Sequence, residues 1–348
     1  MGWHSVSTPA AAWQATAQPR DPARLLARGS VVAQIDSDTL SGSPVVFQTQ
    51  TDAPWAQSLT CSIDRHGAIT VEMHLLEEPC FRITCPSPTA ARSRLLLITF
   101  AWDKYRNAAR LTVEDPLAQT GTTKSLDISP PPLLAGLLDG LTSAPLQRPL
   151  DFIALSDRPE PVGPMPGLDP LTRLDTPTGP RPLSEIATGD TVQTDRGPQT
   201  VLARIDRILP RCGVFAPTRL LAPHLGLRRD ILLTGQQKIL IGGSAAEYEL
   251  GQDHAAIPAL YLETLKEDQT EIAPARYSQL LLPKPAGLHA QGGVVESLNI
   301  GRLRRDPEAL ERSVLADLAP ALLPDHGNAP RSQTPDFAVH MLLSDRLA

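Results

Sequence analysis

Short β-rich runs, several of which alternate apolar and polar residues, dominate the first third of the chain. Seven of them lie between residues 25 and 128: SVVAQID, PVVFQTQ, SLTCSI, AITVEMHL, CFRITC, RLLLITFAW and ARLTVE. A period of two is typical of a strand with one face in a core. Turn residues separate the runs, and DRHG between the third and fourth favours a tight hairpin. Seven strands at this spacing predict a β-sandwich or a barrel over residues 22–128.

Prolines interrupt this pattern after residue 128. The chain holds 35 prolines, about double the usual share of roughly 5%. They crowd in SPPPLL and in RPEPVGPMPG. Proline removes a backbone donor and fixes φ, so a stretch this rich in proline is neither one helix nor a central strand. We predict a linker over residues 129–166, with a short helix in PLLAGLLDGLTSAPLQ that packs between domains.

Short strands resume over residues 167–302, with the turn signals TPTGP, TDRGP and IGGS between them. The helical pattern DPEALERSVLADLAPALLP follows, with Asp306 at the N-cap and Pro307 at the first helical position. The expected fold class is therefore mainly β. An N-terminal sandwich precedes a second all-β domain at 167–302, and residues 303–348 form a short helix and a loose tail.

Charge and composition narrow the classes of partner. The net charge of −6 and the pI near 5.8 argue against nucleic acid, whose binding needs clustered Lys and Arg. No apolar run is long enough to span a membrane, and the N-terminus lacks the apolar core of a secretory signal. We expect a soluble protein, cytoplasmic or exported without a cleaved signal.

No metal or cofactor site is expected from the residue pattern. The four cysteines show neither a C-x-x-C pair nor ligand spacing, and we predict buried free thiols. Asp103 with Asn107 falls short of the six to eight oxygens that calcium requires. No G-x-S-x-G, P-loop, H-E-x-x-H or dinucleotide motif is present.

The segment LLLITFAWDKYRNAARLTVED, residues 95–115, resembles the strand pair ending in Trp-Asp of concanavalin-like or laminin-G-like lectin sandwiches. The resemblance implies a lectin-like N-terminal sandwich and makes Trp102 and Asp103 candidate ligand-binding residues. A strand tryptophan more often packs in a core. A carbohydrate-binding module would require Trp102 or Trp55 to be exposed beside a groove.

Five later segments resemble the Hint domain, the fold shared by hedgehog autoprocessing domains and inteins, and a bacterial branch of that family above all. In chain order they are LSEIATGDTV, GPQTV, RRDILLTGQQKIL, HAAIPALYLETL and GGVVESLNIG. They follow one another in the family's order over some 140 residues. This order makes the resemblance specific, although no single segment does.

The resemblance also implies a chemistry. In this family a nucleophile at the first position attacks the preceding carbonyl, and the histidine of a T-x-x-H motif protonates the departing nitrogen. Here Gly167 occupies the nucleophile position, and no Ser, Thr or Cys occurs between Asp157 and Leu171. The T-x-x-H match runs from Thr234 to Gln237, and an amide does not shuttle protons near neutral pH.

Two further positions, Tyr261 and Pro285, stand where the branch often has histidines. We therefore expect a Hint domain that no longer cleaves or splices, in a non-catalytic protein that binds a protein or a glycan. Two alternatives stay open. One is residual self-cleavage between Pro166 and Asp169, assisted by Thr234 and by Asp190 or Asp175. The other is carbohydrate binding through the N-terminal sandwich.

Overall fold

A computed structural model of the protein describes residues 2–15, 21–36, 45–88, 95–116, 120–143, 146, 149–163, 165, 167–242, 254–262 and 271–327. Backbone contacts divide the chain into two units. The first comprises Met1–Gly163 and Glu271–Pro274, and the second comprises Pro164–Thr270 and Ala275–Ala348. Both consist mainly of antiparallel strands, so the predicted fold class is confirmed.

Two antiparallel sheets form a sandwich in the first unit. The larger has seven strands, in the spatial order β11-β10-β9-β4-β13-β1-β2. Their bounds are β1 Trp3–Ser7, β2 Ala12–Gln14, β4 Arg28–Asp36, β9 Leu95–Asp103, β10 Ala108–Asp115, β11 Thr120–Leu126 and β13 Leu150–Ser156. The smaller sheet follows sequence order and contains β5 Val45–Thr51, β6 Gln57–Ile63, β7 Ile69–Leu75 and β8 Glu78–Cys85.

One apolar cluster fills the space between these sheets. On β6 and β7 every second residue is buried, as the alternating sequence predicts. Strands β4 and β9 are buried along nearly their whole length, which explains their continuous apolar runs. Phe100 stacks on Trp102 with the ring centroids 5.7 Å apart. Each such side chain stabilises the sandwich by about 1.5–3 kcal/mol through burial.

The predicted linker over residues 129–166 differs from the structure. Strand β13 lies inside this range and occupies a central place in the large sheet, between β4 and β1. Its sequence, LDFIALS, contains no proline, and the prolines flank it instead. The predicted short helix is α1, Ala135–Asp139, which follows the two-residue strand β12, Leu133–Leu134. Strand β12 pairs with β3, Leu25–Leu26. Helix α1 packs in the sandwich core, with Leu137 and Leu138 buried.

The N-terminal boundary of the sandwich also differs. The alternating runs placed its start at residue 22, whereas β1 and β2 belong to the large sheet. Trp3 and Val6 are buried on β1. Because WHSVS carries a histidine and a serine between Trp3 and Val6, its pattern is too weak to mark a strand from sequence alone.

A six-stranded antiparallel sheet is the largest element of the second unit, in the order β15-β14-β24-β25-β21-β22. Its strands are β14 Arg173–Thr176, β15 Gly179–Pro182, β21 Lys238–Gly242, β22 His254–Pro258, β24 Gly287–Ala290 and β25 Gly293–Glu296. Three strand pairs complete the unit: β16 Thr191–Val192 with β17 Gln199–Thr200, β18 Ala203–Leu209 with β23 Ala275–Leu281, and β19 Pro217–Leu220 with β20 Ile231–Thr234.

Two short helices follow the last strand, α2 Gly301–Arg304 and α3 Pro307–Glu311. Asp306 is the N-cap of α3, as predicted, and its carboxylate accepts from the Ala309 amide at 3.0 Å. The helix is shorter than predicted, because the Ser313 hydroxyl donates to the Leu310 carbonyl and accepts from the Leu315 amide. The predicted tail at 328–348 lies outside the described residues.

None of the helices in the described residues has the length and apolar character needed to cross a membrane. Within the same residues, no group of three or more His, Cys, Asp and Glu side chains is arranged to hold a metal ion.

Candidate functional site

The segment 167–169 lies between strands β20 and β23 of the second unit and forms backbone hydrogen bonds with both. On one side Leu168 exchanges two hydrogen bonds with Ser278 of β23, at 3.0 and 2.8 Å. On the other side the Gly167 carbonyl accepts from the Thr234 amide at 2.7 Å, and the Asp169 amide donates to the Leu232 carbonyl at 3.0 Å. Backbone pairing therefore fixes the segment in register with both neighbours.

The stretch ILLTGQQKILI is not a hairpin. Its two strands, β20 and β21, do not pair with each other: β20 pairs with β19, while β21 pairs with β22 and β25. Residues 234–237 form the corner between them, closed by a hydrogen bond from the Gln237 amide to the Thr234 carbonyl at 3.0 Å. The corner is covered by residues 259–261, where the Leu260 amide donates to the Gly235 carbonyl. This corner places residues 234 and 237 beside Gly167.

The three predicted site positions converge. A Cβ atom added to Gly167 would lie 2.6 Å from Gln237 Oε1, 2.8 Å from Gln237 Cβ and 3.0 Å from Thr234 Oγ1. Separations under 3.0 Å are not tolerated between a Cβ and a fixed neighbour. The Gln237 side chain therefore fills the space into which a residue larger than glycine would project.

Gln237 is held by a network of amides. Its Nε2 donates to the Glu296 carbonyl at 2.9 Å and to the Lys238 carbonyl at 3.1 Å, and its Oε1 accepts from Gln279 Nε2 at 2.7 Å. Gln279 Nε2 also donates to the Glu296 carbonyl. Because both glutamines are buried and hydrogen-bonded, moving either side chain would leave buried polar groups unpaired.

An ion pair lies beside this network. Lys238 Nζ and Glu296 Oε2 are 3.6 Å apart, with the side chains 7% and 11% exposed. Removing one partner of a buried pair leaves an uncompensated charge, so the two residues hold β21 and β25 in place together. The ion pair and the amides therefore make the surroundings of Gly167 polar, and they leave no space there for a larger side chain.

The sequence alone did not point to Gln279, Lys238 or Glu296. Lys238 begins the apolar strand KILIG and Glu296 ends GVVE, so a lone charge of opposite sign at one end of each apolar strand was the available signal. Gln279 gave no comparable signal, because the strand ARYSQLL has polar residues in its first half. Lys238 and Glu296 come together because β21 pairs with β25, and this pairing is visible only in the structure.

Among the other candidate positions, Tyr261 is one of the residues that cover the corner, and it is partly buried against the apolar core. Pro285 lies in the turn between β23 and β24. The Asp190 carboxylate accepts from the Ala187 amide at 3.0 Å and from Arg181 at 3.1 Å. The Ala187 amide, and after it the Arg181 charge, lowers the pKa of Asp190. Asp190 thus closes a turn.

The buried cysteines are not poised as nucleophiles. Burial raises the pKa of the Cys212 thiol and that of the Cys61 thiol, which keeps both protonated at neutral pH. Burial also raises the pKa of Cys85. The prediction of buried free thiols needs one correction: all four cysteines are free, but Cys80 is exposed. It lies on the outward face of β8, five residues from buried Cys85.

Trp102 does not offer its ring to a ligand. The side chain is 1% exposed in the sandwich core, and its Nε1 donates to the Leu26 carbonyl at 3.1 Å. Trp102 therefore does not fit its predicted role in ligand binding. Asp103 caps its own turn by accepting from the Tyr105 and Arg106 amides. Trp55 is partly buried against the same core.

Comparison with known proteins gives one family match. The Hint domain family model matches residues 166–302. A search of curated proteins found no match.

Several solved structures resemble parts of the chain. The CBM40 domain of a Ruminococcus gnavus IT-sialidase, bound to alpha2,3 sialyllactose, is 16% identical over 38% of this chain and 77% of its own, with a TM-score of 0.26. The gp41-1 intein is 13% identical over 39% of this chain and 100% of its own, with a TM-score of 0.25. The MchDnaB-1 intein is 18% identical over 38% and 99%, with a TM-score of 0.24.

Proposed function

Residues 166–302 form a Hint domain, and from this premise we propose that the domain has lost autoprocessing and serves as a scaffold or binding domain. The single observation that carries the proposal is the packing of Gln237 against Gly167. A nucleophilic side chain at position 167 needs a Cβ, and the nearest Gln237 atom would then lie at 2.6 Å.

The acid-base step supports the same proposal. An amide neither gains nor loses a proton near neutral pH, so Gln237 does not protonate a departing nitrogen. Its hydrogen bonds to the Glu296 and Lys238 carbonyls give the side chain a structural role instead. Thr234 keeps its hydroxyl beside Gly167, but no base among the described residues is hydrogen-bonded to it.

The remaining function is then binding, with a protein or a glycan as the proposed partner. Fold by itself does not select between the two. The carbohydrate alternative required Trp102 or Trp55 to be exposed beside a groove, but Trp102 lies in the core and Trp55 is partly buried against it.

Intact-mass spectrometry of freshly purified full-length protein tests the loss of autoprocessing. The protein is incubated alone, with dithiothreitol and with hydroxylamine, since both reagents capture thioester or ester intermediates. We expect one unchanged mass near 37.5 kDa under all three conditions. The Thr234→Ala variant, treated identically, serves as the matched control.

Residual self-cleavage gives a different result. Two fragments that meet between Pro166 and Asp169 in the unmodified protein, and that are absent in Thr234→Ala, would overturn the proposal. They would also assign the reaction to Thr234. Fragments of the same mass in both proteins would still refute the loss of activity, but would place the nucleophile elsewhere.

A further inference from the structure

Three loops meet at one end of the N-terminal sandwich. They are residues 24–28, the hairpin 103–107 between β9 and β10, and residues 127–129. The Lys104 amide donates to the Ala27 carbonyl at 2.8 Å. On the other side of the hairpin, Asn107 donates to the Asp127 carbonyl at 2.8 Å and accepts from the Ser129 amide. The hairpin tip is therefore held between the other two loops, and we call this surface the loop patch.

The loop patch exposes one large apolar side chain from each loop. Tyr105 is 79% exposed, Ile128 63% and Leu25 47%. Six large apolar side chains are exposed in the described part of the chain, and three of them lie here. Single exposed apolar residues are ordinary, but a group on adjacent loops marks an interaction surface.

Two of the three loops carry four cationic residues. Arg24, Arg28, Lys104 and Arg106 are all exposed, and within the described residues no ion pair or side-chain hydrogen bond engages any of them. Arg28 pairs with Asp103 along the backbone, yet the Asp103 carboxylate caps its own turn. The Asp127 side chain is the other acid of the three loops. A locally cationic surface thus occurs on a chain whose net charge is −6.

We propose that the loop patch binds the surface of a membrane containing anionic lipid. Apolar side chains at loop tips insert below the headgroups, while flanking Lys and Arg remain at the level of the phosphates. The aliphatic Leu25 and Ile128 fit this partner better than an acidic glycan, which is recognised by aromatic faces and hydrogen bonds. Hydrogen bonds already join the three loops, so the patch does not need to rearrange before it binds.

Co-sedimentation of the full-length protein with lipid vesicles tests the proposal. The probes are vesicles of phosphatidylcholine alone and vesicles in which phosphatidylserine replaces a third of it. We expect binding to the second and little to the first, weakened by high salt because screening shortens electrostatic attraction. Since each cation near an anionic surface contributes roughly fivefold in affinity, Lys104→Ala/Arg106→Ala should bind about 25-fold more weakly.

Matched variants distinguish binding through the loop patch from nonspecific binding to vesicles. Tyr105→Ser/Ile128→Ser should lose about tenfold or more of the binding, whereas Leu76→Ser/Leu171→Ser removes equally exposed apolar residues elsewhere and should bind as the unmodified protein does. Arg65→Ala/Lys124→Ala is the corresponding charge control. Circular dichroism of each variant verifies folding, which surface changes of this kind preserve.

Three results would overturn the proposal. The first is no binding to the anionic vesicles, and the second is equal losses in the patch and control variants. The third is binding of the loop patch to soluble sialylated or sulfated glycans that added anionic vesicles do not compete away. This result would assign the patch to an acidic glycan.

Discussion

At residue 167 the missing side chain and the neighbouring glutamine form one packing arrangement. Glycine leaves a gap that Gln237 fills, and Gln237 in turn bonds to the Glu296 and Lys238 carbonyls and to Gln279. Gly167 and Gln237 are therefore coupled through shared space. The sequence pointed to Gly167, Thr234 and Gln237, because the resemblance placed them at the family's motif positions. It could not identify Gln279, whose role depends on the pairing of distant strands.

Gly167→Ala tests this arrangement. A methyl group placed 2.6 Å from Gln237 Oε1 must displace the amide network, and we expect the free energy of unfolding to fall by about 1–3 kcal/mol. Urea denaturation followed by circular dichroism measures it. Gly121→Ala is the control, since its nearest neighbour, Glu114 Cγ, lies at 3.1 Å, a milder contact than 2.6 Å. Equal stability of Gly167→Ala and the unmodified protein would show that the space is not closed.

At the scale of elements, the strands that carried a clear alternating pattern were predicted, and those without one were missed. The seven runs between residues 25 and 128 correspond to strands β4 to β10. The missed strand β11 has an exposed or half-exposed pattern throughout, because it lies at the edge of the large sheet. Strands β1 and β13 were missed for different reasons: β1 is short and partly polar, and prolines flank β13.

Trp3→Ala tests the place of β1 in the sheet. Trp3 is 2% exposed, so truncation should cost about 3–5 kcal/mol of unfolding free energy. Trp13 on the edge strand β2 is only half-buried, and Trp13→Ala should cost clearly less. Chemical denaturation of both variants, followed by circular dichroism, gives the comparison. A Trp3 variant as stable as the Trp13 variant would contradict the assignment of β1.

The segment after α3 is attached through a buried histidine. His326 Nδ1 accepts from the Ile300 amide at 3.1 Å, and with the proton on Nε2 the ring donates to the Leu282 carbonyl at 2.8 Å. Burial lowers the pKa of His326, although the Leu282 carbonyl and Asp325 act in the opposite direction. A protonated ring would turn an N–H toward the Ile300 amide, so the attachment requires the neutral form.

Stability should consequently depend on pH through His326. Its unfolded pKa is near 6.5 and its folded pKa is lower, so the contribution is complete above pH 6.5 and is lost as the pH falls below that value. Urea denaturation at mildly alkaline and mildly acidic pH measures the difference in unfolding free energy. His326→Leu should reduce that difference, whereas His66→Leu, at an exposed hairpin, should leave it unchanged. Equal pH dependence in both variants would exclude His326 as its source.

At the scale of the whole molecule, separate apolar clusters stabilise the two units. One fills the sandwich, a second lies within the Hint domain, and a third holds α2, α3 and the residues after them against β18 and β23. Two of the three buried cysteines belong to one of these clusters. Cys61 and Cys85 lie in the first, whereas Cys80 on the outer face of β8 belongs to none of them.

A thiol reagent therefore distinguishes the cysteines of the folded protein. Buried thiols are protonated and inaccessible, so we expect a maleimide to add once per chain, at Cys80. Mass spectrometry counts and maps the adducts. Denatured protein should accept four, and folded Cys80→Ser should accept none. Rapid labelling of Cys212 in the folded protein would mean that its surroundings open.

The sequence by itself determined the mainly β fold class, the family of the second domain and the absence of a thiol or hydroxyl between Asp157 and Leu171. These properties follow from local alternation, ordered motifs and residue identity, none of which needs knowledge of distant contacts. Tertiary structure decided that β13 belongs to the sandwich, that Trp102 is buried and that Gln237 occupies the space beside Gly167. Each of these depends on which strands lie side by side, and strand pairing joins residues far apart in the chain.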